Sequence, residues 1–320
     1  MPELRLNQRA ARVADDLALR ADALGAVVSL VGKARVIDAG VRVAGSVEAG
    51  LLVARACMAD LGSARVMPGT LVGMPLPCIA VDIAQPVAAC MASQYAGWRI
   101  SVGTYFAMGS GPMRAAYGKE DLFGAIGLRE TARTAVGVLE TSRVPDAAVI
   151  AYIAGKCGVE PSNLTLIAAR TASLAGGTQV AARSVETALH KLHELGFDLG
   201  RIVGGLGWAP LPPVAGDDLA AIGRTNDAVL YGARVVLHLT GDDASLIEVG
   251  AKLPASASPD HGEPFARIFK RAGHDFYKID PLLFSPAQVS LQNLQTGRTF
   301  TFGNIDEKVL AESFFGSGSD

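Results

Sequence analysis

Strand-like and helix-like segments interleave along this 320-residue chain, and hairpin signals interrupt their alternation. Two Val-rich segments, Ala26–Val31 and Ala34–Ala44, are separated only by Gly32-Lys33. A two-residue turn between such segments is typical of a β-hairpin, which joins antiparallel strands. The chain is therefore predicted to have an α/β (mixed α+β) fold, with mixed β-sheets and flanking helices.

Capping residues and apolar patterns delimit the other predicted elements. Ser46 is predicted to cap a helix that ends near Gly62, and Asp306–Phe315 is predicted to be the last helix. Further predictions are a strand at Ile100–Met108, a helix at Lys119–Glu140, strands at Ala147–Ala154 and Asn163–Arg170, a helix at Thr178–Leu195 and a Gly/Pro loop at Gly204–Pro213. Pro145 and Pro161 suggest a domain boundary, which divides the chain into residues 1–150 and 151–320.

The composition excludes several classes of protein. Half of the residues are apolar and 19% are charged, which is typical of a globular protein with a large core. The net charge of -2 provides no general attraction for nucleic acid or for an anionic membrane. No apolar run reaches the ~18 residues of a membrane span. Asp15 and Asp16 interrupt any signal sequence, and low cysteine use fits a reducing compartment, so a cytoplasmic protein is predicted.

Three familiar site patterns are incomplete in this sequence. The segment Gly205–Pro210 matches a dinucleotide fingerprint until its last position, where proline replaces the glycine needed for close helix–strand packing. Ser110 follows Gly109, but Met108 occupies the position where a nucleophile elbow needs glycine. His190 and His193 are three residues apart, whereas the HExxH zinc motif spaces its histidines by four.

No metal site is therefore predicted. The four cysteines form no CxxC pair and are interpreted as small buried apolar residues: Cys57, Cys78, Cys90 and Cys157.

The segment from Asn163 to Leu195 is the most informative part of the chain. A buried strand leads through the small-residue turn at Gly176-Gly177 into the predicted helix, an arrangement that brings backbone amides to a ligand. Arg183 and Glu186 lie three residues apart in the second turn of that helix. From their spacing alone they are interpreted as an exposed ion pair worth a few tenths of a kcal/mol.

Four long motifs point to a specific family: Gly103–Ala115 (GTYFAMGSGPMRA), Thr171–Gln179 (TASLAGGTQ), Gly223–Ala228 (GRTNDA) and Asp280–Ala287 (DPLLFSPA). Through them the chain resembles the methenyltetrahydromethanopterin cyclohydrolase family over essentially its whole length. The resemblance implies hydrolysis of the methenyl bridge of a tetrahydromethanopterin to the 5-formyl compound. It also implies two domains around a central cleft, a homotrimer, a small-molecule pterin partner, and no metal or redox cofactor.

The near-neutral charge favours one branch of this family. Archaeal members are often strongly acidic, whereas this chain resembles the branch from methylotrophic bacteria. That branch uses the dephospho form of the pterin in formaldehyde oxidation, a part of one-carbon metabolism.

The resemblance also implies roles for individual residues. The family's catalytic Arg-x-x-Glu motif matches Arg183 and Glu186. Glu186 would accept a proton from water and return one to the leaving nitrogen. Arg183, which stays protonated, would orient Glu186 or the water and stabilise the forming carbonyl oxygen. The candidate substrate-binding residues are Tyr105, Ser110, Arg114, Gly176, Gly177, Gln179, Thr225, Asn226 and Asp227.

Two alternatives from other classes stay open at this point. One is an acyl hydrolase that uses Ser110 or Ser173 as its nucleophile, which would need a histidine partner. The other is a pterin carrier that binds the ligand without turnover.

Overall fold

The structure, a computed structural model, describes residues 4–316. The chain forms two compact units, and each unit is built from two separate segments. The first unit comprises the residues up to Ser63 together with Ala88–Gln179, and the second comprises Ala64–Val87 together with the residues from Val180 onward. The predicted division after residue 150 falls inside the first unit.

The element bounds in chain order are as follows. The strands are β1 (Val27–Val31), β2 (Ala34–Gly40), β3 (Gly62–Met67), β4 (Thr70–Leu71), β5 (Met74–Pro75), β6 (Cys78–Ile83), β7 (Trp98–Val102), β8 (Tyr105–Ser110), β9 (Ala135–Glu140), β10 (Leu164–Ala169), β11 (Ile202–Pro210), β12 (Arg234–Leu239), β13 (Gln288–Asn293) and β14 (Thr299–Gly303). The α-helices are α1 (Leu6–Leu19), α2 (Val47–Cys57), α3 (Met113–Tyr117), α4 (Leu122–Ile126), α5 (Ala147–Cys157), α6 (Leu174–Ala181), α7 (Ser184–Glu194), α8 (Asp218–Leu230), α9 (Asp243–Lys252), α10 (Phe265–Arg271) and α11 (Glu307–Phe315). A π-helix, Val87–Gln94, lies between β6 and β7.

The first unit contains a six-stranded mixed sheet in the order β1-β2-β10-β9-β8-β7. Strand β10 is parallel to both β2 and β9, whereas the outer pairs are antiparallel. Ile37 and Ile167 pack with α1 and α2 in one core cluster, and Val36 and Leu166 pack with α5 in another. Helices therefore cover both faces of the sheet, which explains why its central strands are continuously apolar.

The second unit contains another six-stranded mixed sheet, in the order β14-β13-β12-β11-β6-β3. Strands β12 and β13 are parallel, while β11 pairs antiparallel with both β12 and β6. Helix α7 lies against β11 and β12. A separate core cluster joins α8, α10 and α11 through Phe265, Phe269 and Phe314. The predicted α/β class with mixed sheets and flanking helices is thus confirmed.

Local turn and cap predictions are confirmed at several places. Strands β1 and β2 form the predicted hairpin, with Gly32 at a positive φ of 59°. Ser46 caps α2 by accepting a hydrogen bond from the backbone N–H of Ala49. Asp306 caps α11 in the same way, through the N–H groups of Lys308 and Val309. These motifs are local, so the sequence contains all the information that they need.

The helix predicted at Lys119–Glu140 is wrong. Only the short helix α4 forms there, and it ends at Gly127, which has a φ of 66°. The end of the segment is β9, whose first five residues are buried between β8 and β10. A short apolar run that is buried on both faces has no period that separates a strand from a helix.

The strand predicted at Ala147–Ala154 is also wrong, because these residues lie in α5. Asp146 caps this helix by accepting hydrogen bonds from Ala148 N and Val149 N, and Gly158 ends it with a φ of 68°. Packing against the sheet and two good caps outweigh the strand preference of the β-branched residues.

Two further predictions need correction. The strand predicted at Ile100–Met108 is a hairpin of β7 and β8 that turns at Gly103, whose φ is 57°. The loop predicted at Gly204–Pro213 is mostly strand β11, which lies in the interior of its sheet. The glycines of this strand allow a helix to approach the sheet closely.

Candidate active site

The segment predicted as one helix from Thr178 to Leu195 is two helices, α6 and α7, and Arg183 lies between them. Its backbone N–H donates to Val180 O (3.0 Å), and its carbonyl accepts the first hydrogen bond of α7 from Thr187 N (2.9 Å). Arg183 is therefore the N-cap residue of α7, and Glu186 lies in the first helical turn. This position favours a negative charge on Glu186, since the helix N-terminus carries a partial positive charge.

Arg183 and Glu186 form a buried ion pair. Arg183 Nη1 lies 3.6 Å from Glu186 Oε2, and the two side chains are only 8% and 6% exposed. The interpretation of this pair as an exposed surface ion pair is therefore wrong. Removing one partner of a buried pair leaves the other charge uncompensated, which costs more than losing a surface pair. The pair also places a fixed cation and an acid–base group side by side.

His190 lies one turn beyond Glu186 on α7. Its Nε2 atom is 3.7 Å from Glu194 Oε1, and its side chain is 18% exposed. Nowhere in residues 4–316 do three or more His, Cys, Asp or Glu side chains form a group that could hold a metal ion.

Lys191 is a buried residue of α7 that was not among the residues predicted from the sequence to belong to the site. Its side chain is fully buried, and Nζ donates a hydrogen bond to Pro254 O at 2.7 Å. Burial disfavours the charged ammonium and lowers its pKa to about 8, while the negative charge of Asp280 opposes this shift. A lysine on an amphipathic helix is usually solvated, so no sequence signal separated Lys191 from a surface residue.

Arg114 is bound by other groups of the first unit. Its guanidinium pairs with Glu120 at 2.6 Å and donates to Met91 O at 2.9 Å, and the side chain is fully buried. The rings of Tyr95 and Phe123 lie 5.0 and 5.3 Å from the guanidinium carbon. These contacts give Arg114 a structural role, and its predicted contact with substrate stays a prediction.

Tyr105 and Ser110, at the two ends of β8, are also buried. Burial raises the pKa of Tyr105 to about 12. Ser110 is 2% exposed, and its Oγ atom lies 3.5 Å from Cys57 Sγ.

The turn before α6 is held by Ser173. Its Oγ atom donates to Arg170 O at 2.8 Å and accepts from Gly176 N at 2.9 Å, so the hydroxyl caps the helix. A Cβ atom at Gly176 would lie 2.0 Å from Arg170 O, whereas one at Gly177 would meet nothing within 4 Å. Gln179 is buried further along α6. Of the two glycines, only Gly177 has open space where a side chain would lie.

The acyl-hydrolase alternative receives no support from these positions. Ser173 uses its hydroxyl to cap α6, and Ser110 is almost fully buried.

The three candidates on α8 make contacts within the second unit. Thr225 Oγ1 donates to Ala221 O at 2.9 Å, and Asn226 Nδ2 donates to Ile222 O at 2.8 Å. The carboxylate of Asp227 accepts from Phe265 N at 2.8 Å and from Ser313 Oγ at 2.6 Å. Asp227 therefore joins α8 to the start of α10 and to α11.

Replacing Asp227 by asparagine is expected to change how stability depends on pH. Burial raises the pKa of Asp227 to about 7, although its two hydrogen bonds oppose the shift. Because this folded-state pKa lies above the unfolded value, the wild-type protein loses stability as the pH rises from about 4 to about 7. An asparagine side chain cannot ionise, so the Asp227→Asn variant gains stability relative to wild type over that range, on the order of a few kcal/mol.

Urea unfolding of both proteins at about pH 4.5 and about pH 8 measures this difference. Asp306→Asn is the matched control, because Asp306 also accepts backbone hydrogen bonds in this unit but shows no comparable burial. An equal stability difference at the two pH values would show that Asp227 does not titrate in this range.

A buried Arg–Glu pair at the start of a helix puts a fixed cation beside a group that can transfer protons, an arrangement that acid–base catalysis would require. The chain belongs to the family described as Cyclohydrolase (MCH), whose family model matches residues 5–314.

Several relatives are named methenyltetrahydromethanopterin cyclohydrolase. The relative from Rhodopirellula baltica is 50% identical over 292 residues, which are 89% of this chain and 87% of the relative. The relative from Methylobacterium organophilum is 45% identical over 90% of each chain. The relative from Methanosarcina mazei is 43% identical over 90% of this chain and 91% of its own. In the described residues of this protein, no helix is long and apolar enough to cross a membrane.

Proposed function

We propose that this enzyme hydrolyses 5,10-methenyltetrahydromethanopterin to 5-formyltetrahydromethanopterin in one-carbon metabolism. The observation that carries the proposal is the buried Arg183–Glu186 pair in a chain of the cyclohydrolase family. Support also comes from the name that the relatives share and from the identity of 43–50% to three of them.

The chemistry of the substrate explains why a carboxylate and a guanidinium suffice. The methenyl bridge is part of a delocalised amidinium cation, so its carbon is already electrophilic. Water adds to this carbon, and Glu186 accepts a proton as the C–O bond forms. The bond from the same carbon to the second nitrogen then breaks, and that nitrogen receives a proton. The water has two protons; one ends on the nitrogen and the other is released with the neutral formyl product.

Arg183 supplies the fixed positive charge in this scheme. A guanidinium does not lose its proton at neutral pH, so it cannot act as the base. Its position 3.6 Å from Glu186 suits a role in holding the carboxylate and stabilising the developing carbonyl oxygen. We propose that the reaction needs no metal or redox cofactor, because the substrate cation requires neither polarisation nor electron transfer.

Turnover of the substrate is the decisive test. The purified protein is mixed with the methenyl forms of tetrahydromethanopterin and of tetrahydrofolate, and loss of the methenyl absorbance is followed. We expect many methanopterin molecules consumed per protein chain and much slower loss with the folate. Stoichiometric binding without turnover would favour the carrier alternative. Covalent labelling by a serine-directed phosphonate, with loss of activity, would favour the acyl hydrolase.

The wider setting of the enzyme is also proposed. The near-neutral net charge of -2 supports a role in bacterial formaldehyde oxidation with the dephospho pterin. The free thiols of Cys78 and Cys157 are consistent with the cytoplasm.

The proposed homotrimer needs an apolar contact surface, and the edge strand β1 offers one. Its residues Val27, Val28 and Leu30 are 50%, 40% and 75% exposed. Sedimentation equilibrium at several concentrations tests the trimer.

A further inference from the structure

The first turn of α7 rests on two glycines of β11. Gly205 and Gly207 lie two residues apart on this strand and therefore share one face of the sheet. A Cβ atom at Gly207 would lie 2.4 Å from Ser184 Oγ and 2.9 Å from Val185 Cγ2. A Cβ atom at Gly205 would lie 2.8 Å from Val185 Cγ1. Contacts this short require one of the groups to move, so a side chain at either position would press against the first turn of α7.

The hydroxyl of Ser184 is part of this close contact. The side chain is fully buried, and Oγ has no hydrogen-bond partner within residues 4–316. A buried polar atom without a hydrogen bond lowers stability. Replacing Ser184 by alanine would break no hydrogen bond within residues 4–316. Ser184 Oγ is also the atom nearest to a side chain added at Gly207. The size of the side chain at position 184 therefore affects how much room a side chain at position 207 would have.

Ser184 and Val185 lie between Arg183 and Glu186 in the sequence. Whatever raises this turn from the sheet also moves the buried pair, whose charged atoms are 3.6 Å apart. We propose that Gly205 and Gly207 are positioning residues, which set the height of α7 above β11 and thereby the geometry of Arg183 and Glu186. This inference rests on the proposed function, since it assigns the glycines a role in the same reaction.

Gly205 and Gly207 belong to the segment that partly matches a dinucleotide fingerprint, and this inference assigns them a different role. In that fingerprint the glycines lie in a turn before a helix, whereas here they lie within a strand beneath a helix that precedes them in sequence. The close approach of the backbones is the feature that the two arrangements share.

The test is a cycle of single and double variants measured by steady-state kinetics. Gly207→Ala is expected to lower kcat by at least about tenfold and to change KM less than about twofold, because a small displacement of catalytic groups affects the chemical step most. Ser184→Ala alone is expected to keep kcat near the wild-type value. Adding Ser184→Ala to Gly207→Ala removes the 2.4 Å contact but leaves Val185 Cγ2 at 2.9 Å, so the double variant is expected to recover only part of the lost kcat.

Two controls separate positioning from a general loss of stability. Gly216→Ala adds a methyl group in the second unit where nothing lies within 4 Å, so it should leave kcat unchanged. Gly205→Ala should also lower kcat, but Ser184→Ala should not rescue it, since that Cβ atom would meet Val185 and Leu237 instead. Thermal unfolding of every variant verifies that the proteins are folded at the assay temperature.

The outcomes distinguish this inference from the proposed function. Wild-type turnover together with an unchanged kcat in Gly207→Ala, or a kcat of Gly207→Ala that Ser184→Ala does not raise at all, would overturn the positioning role alone. A wild-type protein without turnover would overturn the proposed function and the positioning role with it.

Discussion

Glu186→Gln lowers kcat by about 10²–10⁴-fold while the protein remains folded, because the amide cannot accept the proton of the attacking water. The glutamine side chain has nearly the shape of glutamate and can still accept a hydrogen bond, so the first turn of α7 keeps its packing. The buried guanidinium of Arg183 loses the negative charge 3.6 Å away, and a lower unfolding temperature is expected as well. Stopped-flow loss of the methenyl absorbance gives the rate, and circular dichroism verifies the fold.

Glu194→Gln is the matched control on the same helix. Glu194 is 40% exposed and lies near His190, so its replacement should leave kcat within about twofold of wild type. Near-normal turnover of Glu186→Gln would show that another group accepts the proton, and it would remove the main chemical argument for the site.

The second large effect is expected at Arg183. Arg183→Met removes the fixed positive charge beside the developing carbonyl oxygen and should lower kcat by about 10²–10³-fold, as the loss of one such group does in other hydrolases. Arg183→Lys should recover only part of this loss, because an ammonium lacks the planar pair of donors that a guanidinium presents. The comparison of kcat with KM for both variants shows whether the transition state or substrate binding is affected.

Arg267 provides the control for these changes. It is 61% exposed and pairs with Glu312 at the surface of the second unit, so Arg267→Met should have little effect on kcat. Equal activity of Arg183→Lys and wild type would contradict a role that depends on guanidinium geometry. Equal losses in Arg183→Met and Arg267→Met would indicate a general effect of lost charge.

The sequence predicted the parts of the fold that depend on neighbouring residues. The β1–β2 hairpin and the caps at Ser46 and Asp306 need only a turn glycine or a side-chain oxygen near backbone N–H groups. Residues of β9 become a strand because β8 and β10 lie on either side, a distant contact that the sequence does not show. The error at α5 has another origin: its caps, Asp146 and Gly158, are local, but the prediction gave more weight to the β-branched residues between them.

The burial of the candidate catalytic pair could not be predicted from the sequence, and its catalytic role stays a prediction. The family motif identified Arg183 and Glu186, whereas their spacing suggested a solvated surface pair. The pair lies at the break between α6 and α7, beside residues 184 and 185 that contact the glycines of β11, and neither feature can be derived from helical periodicity. Lys191 and Ser184 were missed for the same reason, since both occupy helix positions where only tertiary packing removes them from water.

The two-segment construction of each unit has a consequence for the order in which the chain can fold. As the chain emerges from the ribosome, β6 is complete by Ile83, but its partner β11 begins only at Ile202. The whole of the first unit is therefore synthesised before β6 can pair with β11. The first unit can finish once Gln179 is available, so during synthesis it forms while the segment Ala64–Val87, whose strand β6 has β3 but not yet β11 beside it, is left outside. A nascent chain stalled near residue 180 would expose this strand to proteases and chaperones until β11 follows.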